Sequence, residues 1–281
     1  MAASLHLRTM VLEPGQVGGK LHIVHALENV PGSWSTGPQL ADALTSDLAR
    51  LEDANRCMRV RARGVQVNGY DDHAKVTLDD GRVLTAQAVV VSTGVTTLTP
   101  PDVSWLSASS ELSAPPLWRA SPGDVAGPVY VLGGDRPLGT WLRAHPDSST
   151  RLHVLFPPAD DYKVTEVSND PRAQLVPVSH AALSRAADGD GWTVEVIGRD
   201  GERKNYVART VLSNLGNKPA SIKGLVLGED GYCPPEEQHP RIRIAGDLRS
   251  ARFQRITTAQ GSGAEAALAC YYAMAFQGAA H

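Results

Sequence analysis

The most informative part of this chain is the stretch Arg241-Ile-Arg-Ile-Ala-Gly-Asp247-Leu-Arg-Ser, followed by Phe253-Gln-Arg-Ile-Thr-Thr-Ala-Gln-Gly261-Ser-Gly263. An apolar strand is predicted to run into Asp247, and a Gly-x-Gly turn at Gly261 is predicted to open a long Ala-rich helix. An Asp at the carboxyl end of a strand can hydrogen-bond a polyol, and the amides at a helix start attract an electron-rich ring edge. The stretch therefore predicts a site for a ligand that joins a polyol to such a ring.

The bulk composition narrows the class of protein. The chain has 281 residues, 42% of them hydrophobic, which suits two modest domains or one large one with a packed core. A net charge of -3 gives no electrostatic case for nucleic acid or an anionic membrane surface. No apolar run approaches ~20 residues, so no membrane span is expected. Cys57, Cys233 and Cys270 have no metal-ligand spacing and are expected to be reduced thiols of a cytoplasmic protein, with no metal bound.

The hydrophobic pattern predicts an α/β protein whose two halves share one plan. Each half reads as a strand, a glycine loop, a helix, a strand and then a β-hairpin excursion. In the first half we predict strands at residues 9–13, 58–67, 74–78 and 83–91, with a helix at 37–55. Asp79-Asp-Gly-Arg82 is a strong hairpin turn between the last two strands. In the second half we predict strands at 129–132, 152–156, 192–197 and 205–211.

Taken in order, these segments resemble the thioredoxin reductase-like flavoproteins over nearly the whole chain. A single Gly-Gly or Gly-Asp is weak evidence, but five elements in the right order at roughly the right spacing are specific. The matching segments are Val11-Leu-Glu13, Gly18-Gly19-Lys-Leu, Glu28-Asn29-Val-Pro31-Gly32, Ser92-Thr93-Gly94, and Gly246-Asp247 with residues 254–258.

The resemblance implies two Rossmann-like domains, FAD- and NAD(P)-binding, the second inserted into the first. It assigns residues 1–120 and 219–281 to the FAD-binding domain and residues 121–218 to a degenerate NAD(P)-binding domain. Glu13 would bind the adenosine ribose, although a strand-end acid facing water is the plainer interpretation. Asp247 would bind the ribityl chain, although it could also be a helix N-cap. The remaining implied FAD contacts are Gly18, Gly19, Asn29, Gly94, Gly246, Gln254, Ile256, Thr257 and Thr258.

Two histidines are weak catalytic candidates. His22 and His25 lie on a stretch that the resemblance places near the flavin ring, where a histidine could act as acid or base. A surface or half-buried structural histidine is the alternative for both. No other catalytic residue is predicted.

The first departure from the family pattern is the absence of the Gly-x-Gly-x-x-Gly turn that cradles the FAD pyrophosphate. Met1-Ala-Ala-Ser falls where the helix after that turn is already under way. The sheet would then lack its middle strand and expose unpaired backbone groups. Either the true start lies ~15–20 residues upstream, or the chain is a shortened relative with weakened or lost FAD binding. The free-energy cost of the unpaired backbone groups favours the upstream start.

The other departures concern electron transfer. No Cys-x-x-Cys appears near residues 112–119, where the family carries it, so no relay to a protein disulfide is expected. The second glycine loop, Gly133-Gly-Asp-Arg-Pro-Leu-Gly139, places Asp135 where it would oppose a pyrophosphate. Asp160 and Asp161 stand where the family has arginines for the 2′-phosphate of NADPH. NADPH is therefore disfavoured, while NADH, another reductant or none stay open.

Two functions from different classes remain. The leading one is an FAD-dependent oxidoreductase of the thioredoxin reductase-like group that acts on a small molecule instead of a protein disulfide. The alternative is a non-redox descendant that keeps the fold as a scaffold, a ligand-binding protein or a non-oxidative enzyme. Either is expected to form a homodimer and to bind neither nucleic acid nor membrane.

Overall fold

The computed structural model describes residues 1–24, 27, 29–187 and 189–277 and confirms the predicted α/β class. The chain divides into two compact units, which we call the first unit (Met1–Thr96 with Pro219–His281) and the second unit (Thr97–Lys218). The two crossing segments, β7 and β15 below, pair with each other as short strands.

The elements of the chain have the following bounds. The strands are β1 (Thr9–Leu12), β2 (Cys57–Val60), β3 (Gly64–Gly69), β4 (Ala74–Leu78), β5 (Val83–Ala86), β6 (Val89–Val91), β7 (Val95–Thr97), β8 (Leu106–Ala108), β9 (Val129–Leu132), β10 (Leu152–Phe156), β11 (Ala173–Arg185), β12 (Trp192–Gly198), β13 (Arg203–Ala208), β14 (Thr210–Ser213), β15 (Asn217–Pro219) and β16 (Ile242–Ile244). The α-helices are α1 (Gly37–Asp53), α2 (Pro137–Ala144), α3 (Asp161–Val164) and α4 (Ile256–Gln277). Short 3-10 turns include Ala2–Leu5, Leu21–Ile23 and Gly246–Arg249.

The first unit contains two parallel strand pairs and a three-stranded antiparallel sheet. β1 pairs with β2, and β16 pairs with β6 in a register that sets Ile244 opposite Val91. Among the described residues the two pairs share no strand. β3, β4 and β5 form the antiparallel sheet, and the predicted turn at residues 79–82 joins β4 to β5. Its core holds Leu78, Ile242 and Leu248, all nearly inaccessible to solvent.

Helix α1 fixes the loop that precedes it. It begins with a capping box, in which Thr36 Oγ1 accepts the N–H of Gln39 while Gln39 Oε1 accepts the N–H of Thr36. Gly37 must be glycine, because a Cβ there would lie 2.0 Å from the carbonyl oxygen of Leu21. Gly18 has φ +71°, and a Cβ on it would lie 2.8 Å from Cβ of Ala41. These close approaches hold residues 18–24 against the helix.

The second unit is built on one seven-stranded mixed sheet. Its main path runs β13-β12-β11-β10-β9-β14, and β8 pairs with β11 beside it. β14, β9, β10 and β11 are parallel, whereas β12 and β13 form the antiparallel hairpin. Alternate residues of β9 enter different clusters: Val129 and Val131 pack on one face, Tyr130 and Leu132 on the other. Both faces are therefore covered, as an all-buried parallel strand requires.

Several sequence-based boundaries are wrong. Residues 97–120, assigned to the first domain, lie in the second unit, because β8 pairs with β11 and Trp105 packs on that unit's core. The predicted strands 58–67 and 83–91 are each broken in two. Strand β11 was missed, since Pro177 interrupts its apolar pattern. Gly261 and Gly263 do not open α4; they lie inside it, with nothing within 4 Å of an added Cβ, and the helix begins at Ile256.

Candidate functional site

A cleft of about 380 Å³ in the first unit gathers four of the predicted ligand contacts, Asn29, Asp247, Gln254 and Ile256. Helix α4 begins at Ile256 and not at the predicted Gly261. This start places Ile256 at the end of the helix next to the carboxyl end of β16, so these residues come together. The other lining residues, which the motif comparison did not single out, are Val24, Leu27, Arg255 and Ala259. Arg255 and Ala259 could have been found from the sequence, since they stand one helical turn apart beside Ile256.

The end of β16 presents Asp247 to this cleft. Ile242 and Ile244 are buried and anchor the strand, and Gly246 turns the chain with φ +71°. The N–H of Gly246 donates to Ser262 Oγ at 2.8 Å, and Ser262 Oγ donates to the carbonyl of Ala259 at 3.0 Å. This relay ties the strand end to the second turn of α4. Asp247 is therefore positioned by backbone and helix contacts and keeps its side chain free.

Burial and two nearby positive charges have opposite effects on the pKa of the Asp247 carboxyl. The residue is half-buried, and this burial raises the pKa of its carboxyl, while the positive charges of Lys20 and Arg255 act in the opposite direction. Within the described part of the chain, the carboxylate accepts no hydrogen bond. Both oxygens are thus available to hydroxyl donors of a ligand.

The start of α4 supplies the donors. The N–H groups of the first helical turn have no acceptor within the helix, and they carry partial positive charge. Thr257 and Thr258, both exposed, belong to this turn. Gln254 lies just before this turn, and its Nε2 is 3.0 Å from the carbonyl of Ser250 and 3.2 Å from the hydroxyl of Tyr232. It therefore braces the loop that connects Asp247 to the helix.

The other predicted ligand contacts do not line the cleft. Glu13 follows β1, where its Oε1 accepts the N–H of Gly15 at 2.9 Å. Gly18 and Gly19 form the turn under α1, and Gly18 accepts the N–H of Leu21 at 2.7 Å. Gly94 has φ +68°, with its carbonyl accepting the N–H of Ala220. Each keeps its predicted role only as a proposal.

The two histidine candidates receive no support from this geometry. His22 lies in the 3-10 turn Leu21–Ile23, and its Nε2 is 3.3 Å from the carbonyl oxygen of Val17, a contact that ties it to its own loop. It does not line the cleft. His25 lies outside the described residues.

The cleft fits one end of FAD. An available carboxylate suits the ribityl hydroxyls, and helix-start amides suit the polar edge of the ring. The pyrophosphate end has no matching cradle in the described residues, since the segment before β1 is a single 3-10 turn, Ala2–Leu5, and contains no glycine loop. The described residues of this cleft thus fit the ribityl and ring end of FAD.

The second unit carries the other glycine loop, between β9 and α2. Its Gly134 N–H donates to Oδ2 of Asp160 at 3.0 Å, and that aspartate is 8% exposed. The ammonium of Lys163 lies 2.9 Å from Oδ1 of Asp160 and 3.3 Å from Oδ1 of Asp135. The side chain of Asn214 donates to the carbonyl of Asp135 at 2.8 Å. The loop amide that could donate a hydrogen bond to a ligand phosphate therefore donates to the carboxylate of Asp160 instead.

This arrangement corrects the expected placement of the two aspartates. From the sequence, Asp160 and Asp161 were both expected at the 2′-phosphate position. The structure turns Asp160 into the glycine loop, while Asp161 pairs with Arg199, whose Nη1 lies 3.0 Å from its Oδ2. The repulsion predicted from Asp135 is also reduced, because Lys163 pairs with it.

The described residues contain neither a membrane-spanning helix nor a metal-binding cluster. No helix there combines the length and hydropathy needed to cross a membrane. No group of three or more His, Cys, Asp or Glu side chains could hold a metal ion there.

Comparison with known proteins identifies the fold. No family model matches the chain. A thioredoxin reductase of Peptoclostridium litorale is 23% identical over 296 residues, covering 95% of this chain and 91% of the relative. The solved thioredoxin reductase of Lactococcus lactis is 17% identical, with a TM-score of 0.69 over 96% of this chain and 93% of that one. That of T. acidophilum is 19% identical, with a TM-score of 0.67 over 97% and 92%. The chain therefore has the thioredoxin reductase-like fold, with its two domains of the FAD- and NAD(P)-binding type.

Proposed function

We propose that the protein is an FAD-dependent oxidoreductase that acts on a small molecule instead of a protein disulfide. The observation that carries this proposal is the cleft in which an available, half-buried Asp247 faces the first turn of α4. Bound flavin would supply the two-electron chemistry that no side chain of this cleft provides.

The residues of the cleft then have distinct tasks. Asp247 accepts hydrogen bonds from the ribityl hydroxyls and so orients the cofactor. The amides near Thr257 and Thr258 place partial positive charge at the ring edge that gains negative charge on reduction. Gln254 and Ser262 keep these two elements in register through their contacts with the loop and the strand end.

The cysteines support a substrate other than a protein disulfide. None of the three is in a Cys-x-x-Cys, and Cys233 and Cys270 are buried. Burial raises the pKa of the thiol in all three, so none is an activated thiolate. A relay of electrons through a dithiol has no candidate residues here.

The electron donor is proposed not to be NADPH. The ion pair of Asp160 and Lys163 fills the second glycine loop, and the arginine that reaches this segment, Arg199, is already paired with Asp161. We expect slow flavin reduction by NADPH, no faster than by NADH. Stopped-flow bleaching with both donors measures this, and a clear NADPH preference would contradict it.

A non-redox function is the second candidate, and one observation favours it. The two parallel pairs β1-β2 and β16-β6 share no strand among the described residues, where a full dinucleotide-binding sheet would be continuous. A protein of this fold whose first unit has no continuous sheet could serve as a scaffold or a ligand-binding protein.

A visible absorption spectrum separates the two candidates. The purified chain is incubated with excess FAD, passed through a desalting column and scanned. The flavoprotein retains a band near ~450 nm, whereas the non-redox protein retains none yet unfolds cooperatively. Light scattering of the same sample tests the proposed homodimer, which would have twice the 29.9 kDa mass of the chain. The reduced thiols fit the proposed cytoplasmic location.

A further inference from the structure

A second cavity, of about 350 Å³, lies wholly within the second unit. Residues 97–116 form most of its wall, and the end of β14 closes it. Leu98, Leu112 and Ala114 pack on the core of the unit and give the wall a fixed apolar surface. No charged side chain lines it. Its position beyond the carboxyl end of a parallel strand is where open α/β sheets place their ligands.

One polar residue of the cavity wall is largely buried. Ser213, the last residue of β14, is 8% exposed, and its N–H donates to the carbonyl of Pro115 at 2.8 Å. Its hydroxyl makes no hydrogen bond to any residue that the structure describes, and it can be reached from the cavity. A hydroxyl that borders a cavity and has no protein partner is available for a hydrogen bond with solvent or with a ligand.

Two other hydroxyls of the wall, those of Thr97 and Ser110, belong to exposed residues, and those of Thr99 and Ser109 are engaged. Thr99 Oγ1 donates to Oδ2 of Asp102 at 2.8 Å. Ser109 Oγ accepts the N–H of Glu111 at 3.3 Å. The cavity thus combines an apolar wall with the available hydroxyl of a largely buried serine, the usual composition of a small-molecule site.

We propose that the second unit binds a compact, uncharged ligand in this cavity, with an apolar body against Leu98 and Leu112 and one hydroxyl, carbonyl or amide at Ser213. At about 30 Å³ per water-sized group, the volume suits on the order of ten non-hydrogen atoms. A nucleotide is excluded, because its phosphates would find no cation among the lining residues. This site does not depend on flavin binding, so its test and the test of the oxidoreductase proposal fail separately.

Methyl NMR of the full-length protein tests the site with a matched set of probes. 1-Indanol carries the hydroxyl, indane lacks it, and indane-1-carboxylate adds a charge. We expect 1-indanol to shift the methyl signals of Leu98, Leu112 and Ala114, with indane binding roughly tenfold more weakly, the ratio that one neutral hydrogen bond produces. The carboxylate should produce no shift at these methyls. Absence of shifts with all three probes at millimolar concentration would show a cavity that holds only water and overturn the proposal.

Two variants and a control complete the test. Ser213→Ala should remove the advantage of 1-indanol over indane while leaving indane binding unchanged. Ser184→Ala, an exposed serine on β11, should change neither. Ala114→Phe should abolish binding of both probes, with unchanged methyl shifts of Val131 and Val154 in the other core cluster as evidence of folding. An unchanged preference for 1-indanol in Ser213→Ala, or binding of the carboxylate as tight as that of 1-indanol, would contradict the proposal.

Discussion

Asp247 lies half-buried at the end of β16, with Lys20 and Arg255 as nearby positive charges and no hydrogen bond to its carboxylate from the described residues. A half-buried carboxylate without hydrogen-bond donors lowers the stability of the ligand-free protein. The same carboxylate can accept hydrogen bonds from a ligand with hydroxyl groups. Stability and binding should therefore respond in opposite directions when its charge is removed, and both responses can be measured.

Asp247→Ala should weaken FAD binding by about 1.5–3 kcal/mol, roughly ten- to 150-fold in Kd, because a charge-assisted hydrogen bond is lost. Titration of flavin fluorescence measures the change. Asp42→Ala, an exposed carboxylate on α1, is the matched control and should bind FAD as the wild type does. Equal affinity of the Asp247 variant would remove this residue from the flavin site.

Asp247→Asn should raise the free energy of unfolding at pH 7. Burial raises the folded-state pKa of this carboxyl above its ordinary value of 3.8, so the ionised form is disfavoured in the folded state. The wild type therefore loses stability as pH rises from that value through the folded-state pKa, and the amide does not. Urea unfolding at several pH values should show a gain that shrinks as pH falls. A gain independent of pH would point to a packing effect instead.

At the scale of single elements, the glycine loop between β9 and α2 has its amide hydrogen-bonded by a carboxylate of the same chain. A loop amide that binds phosphate in other proteins donates here to Asp160, whose charge is matched by Lys163. The pKa of Lys163 is affected by burial, which lowers it, but the contacts with Asp160 and Asp135 outweigh this and raise it. The ammonium therefore stays charged, and the loop carries its own counter-ion.

Asp160→Ala should lower the free energy of unfolding by about 1.5–3 kcal/mol, because it leaves a buried N–H without an acceptor and removes a partner of Lys163. Asp161→Ala tests the neighbouring carboxylate, which is more than half exposed in its pair with Arg199 and should cost less than about 1 kcal/mol. Chemical denaturation of both variants measures the difference. Equal costs would mean that Asp160 is no more important than a surface charge.

At the scale of the whole molecule, the two units differ in how their sheets are completed. The second unit has one seven-stranded sheet with a packed cluster on each face. The first unit divides its strands among separate small sheets, and its cleft borders a minor cluster around Leu27, Val30 and Leu40. Fewer strands share each core there, so local opening should require less free energy.

We expect calorimetry to show two unfolding transitions, the lower one belonging to the first unit. FAD at 100 times its Kd should add about 2.7 kcal/mol to that transition and leave the upper one unchanged, because a ligand stabilises only the state that binds it. Hydrogen exchange assigns the transitions through the amides of β4 and β10. A shift of the upper transition alone would place the flavin site in the second unit.

The contrast between predicted and observed elements follows from the range of the interactions. Strands β4, β9 and β10 matched their predicted bounds, because short apolar runs between turns are a local signal. Strand β11 was missed since its thirteen residues include Pro177, which only pairing with β10 and β12 makes acceptable. The Gly-x-Gly at residues 261–263 looked like a helix start, yet neighbouring turns of α4 continue through it.

The sequence alone determined the α/β class, the two-domain plan and the thioredoxin reductase-like resemblance, because hydrophobic periodicity and the order of short glycine motifs are written in neighbouring residues. Only the tertiary structure decided which motif residues meet. It brought Asn29 to Asp247 across more than two hundred residues, and it turned Asp160 into a glycine loop instead of outward. It also placed the Ser213 hydroxyl at a cavity wall, with no hydrogen-bond partner among the described residues. The physical reason is that burial and hydrogen-bond partners depend on contacts between distant segments, which no local pattern encodes.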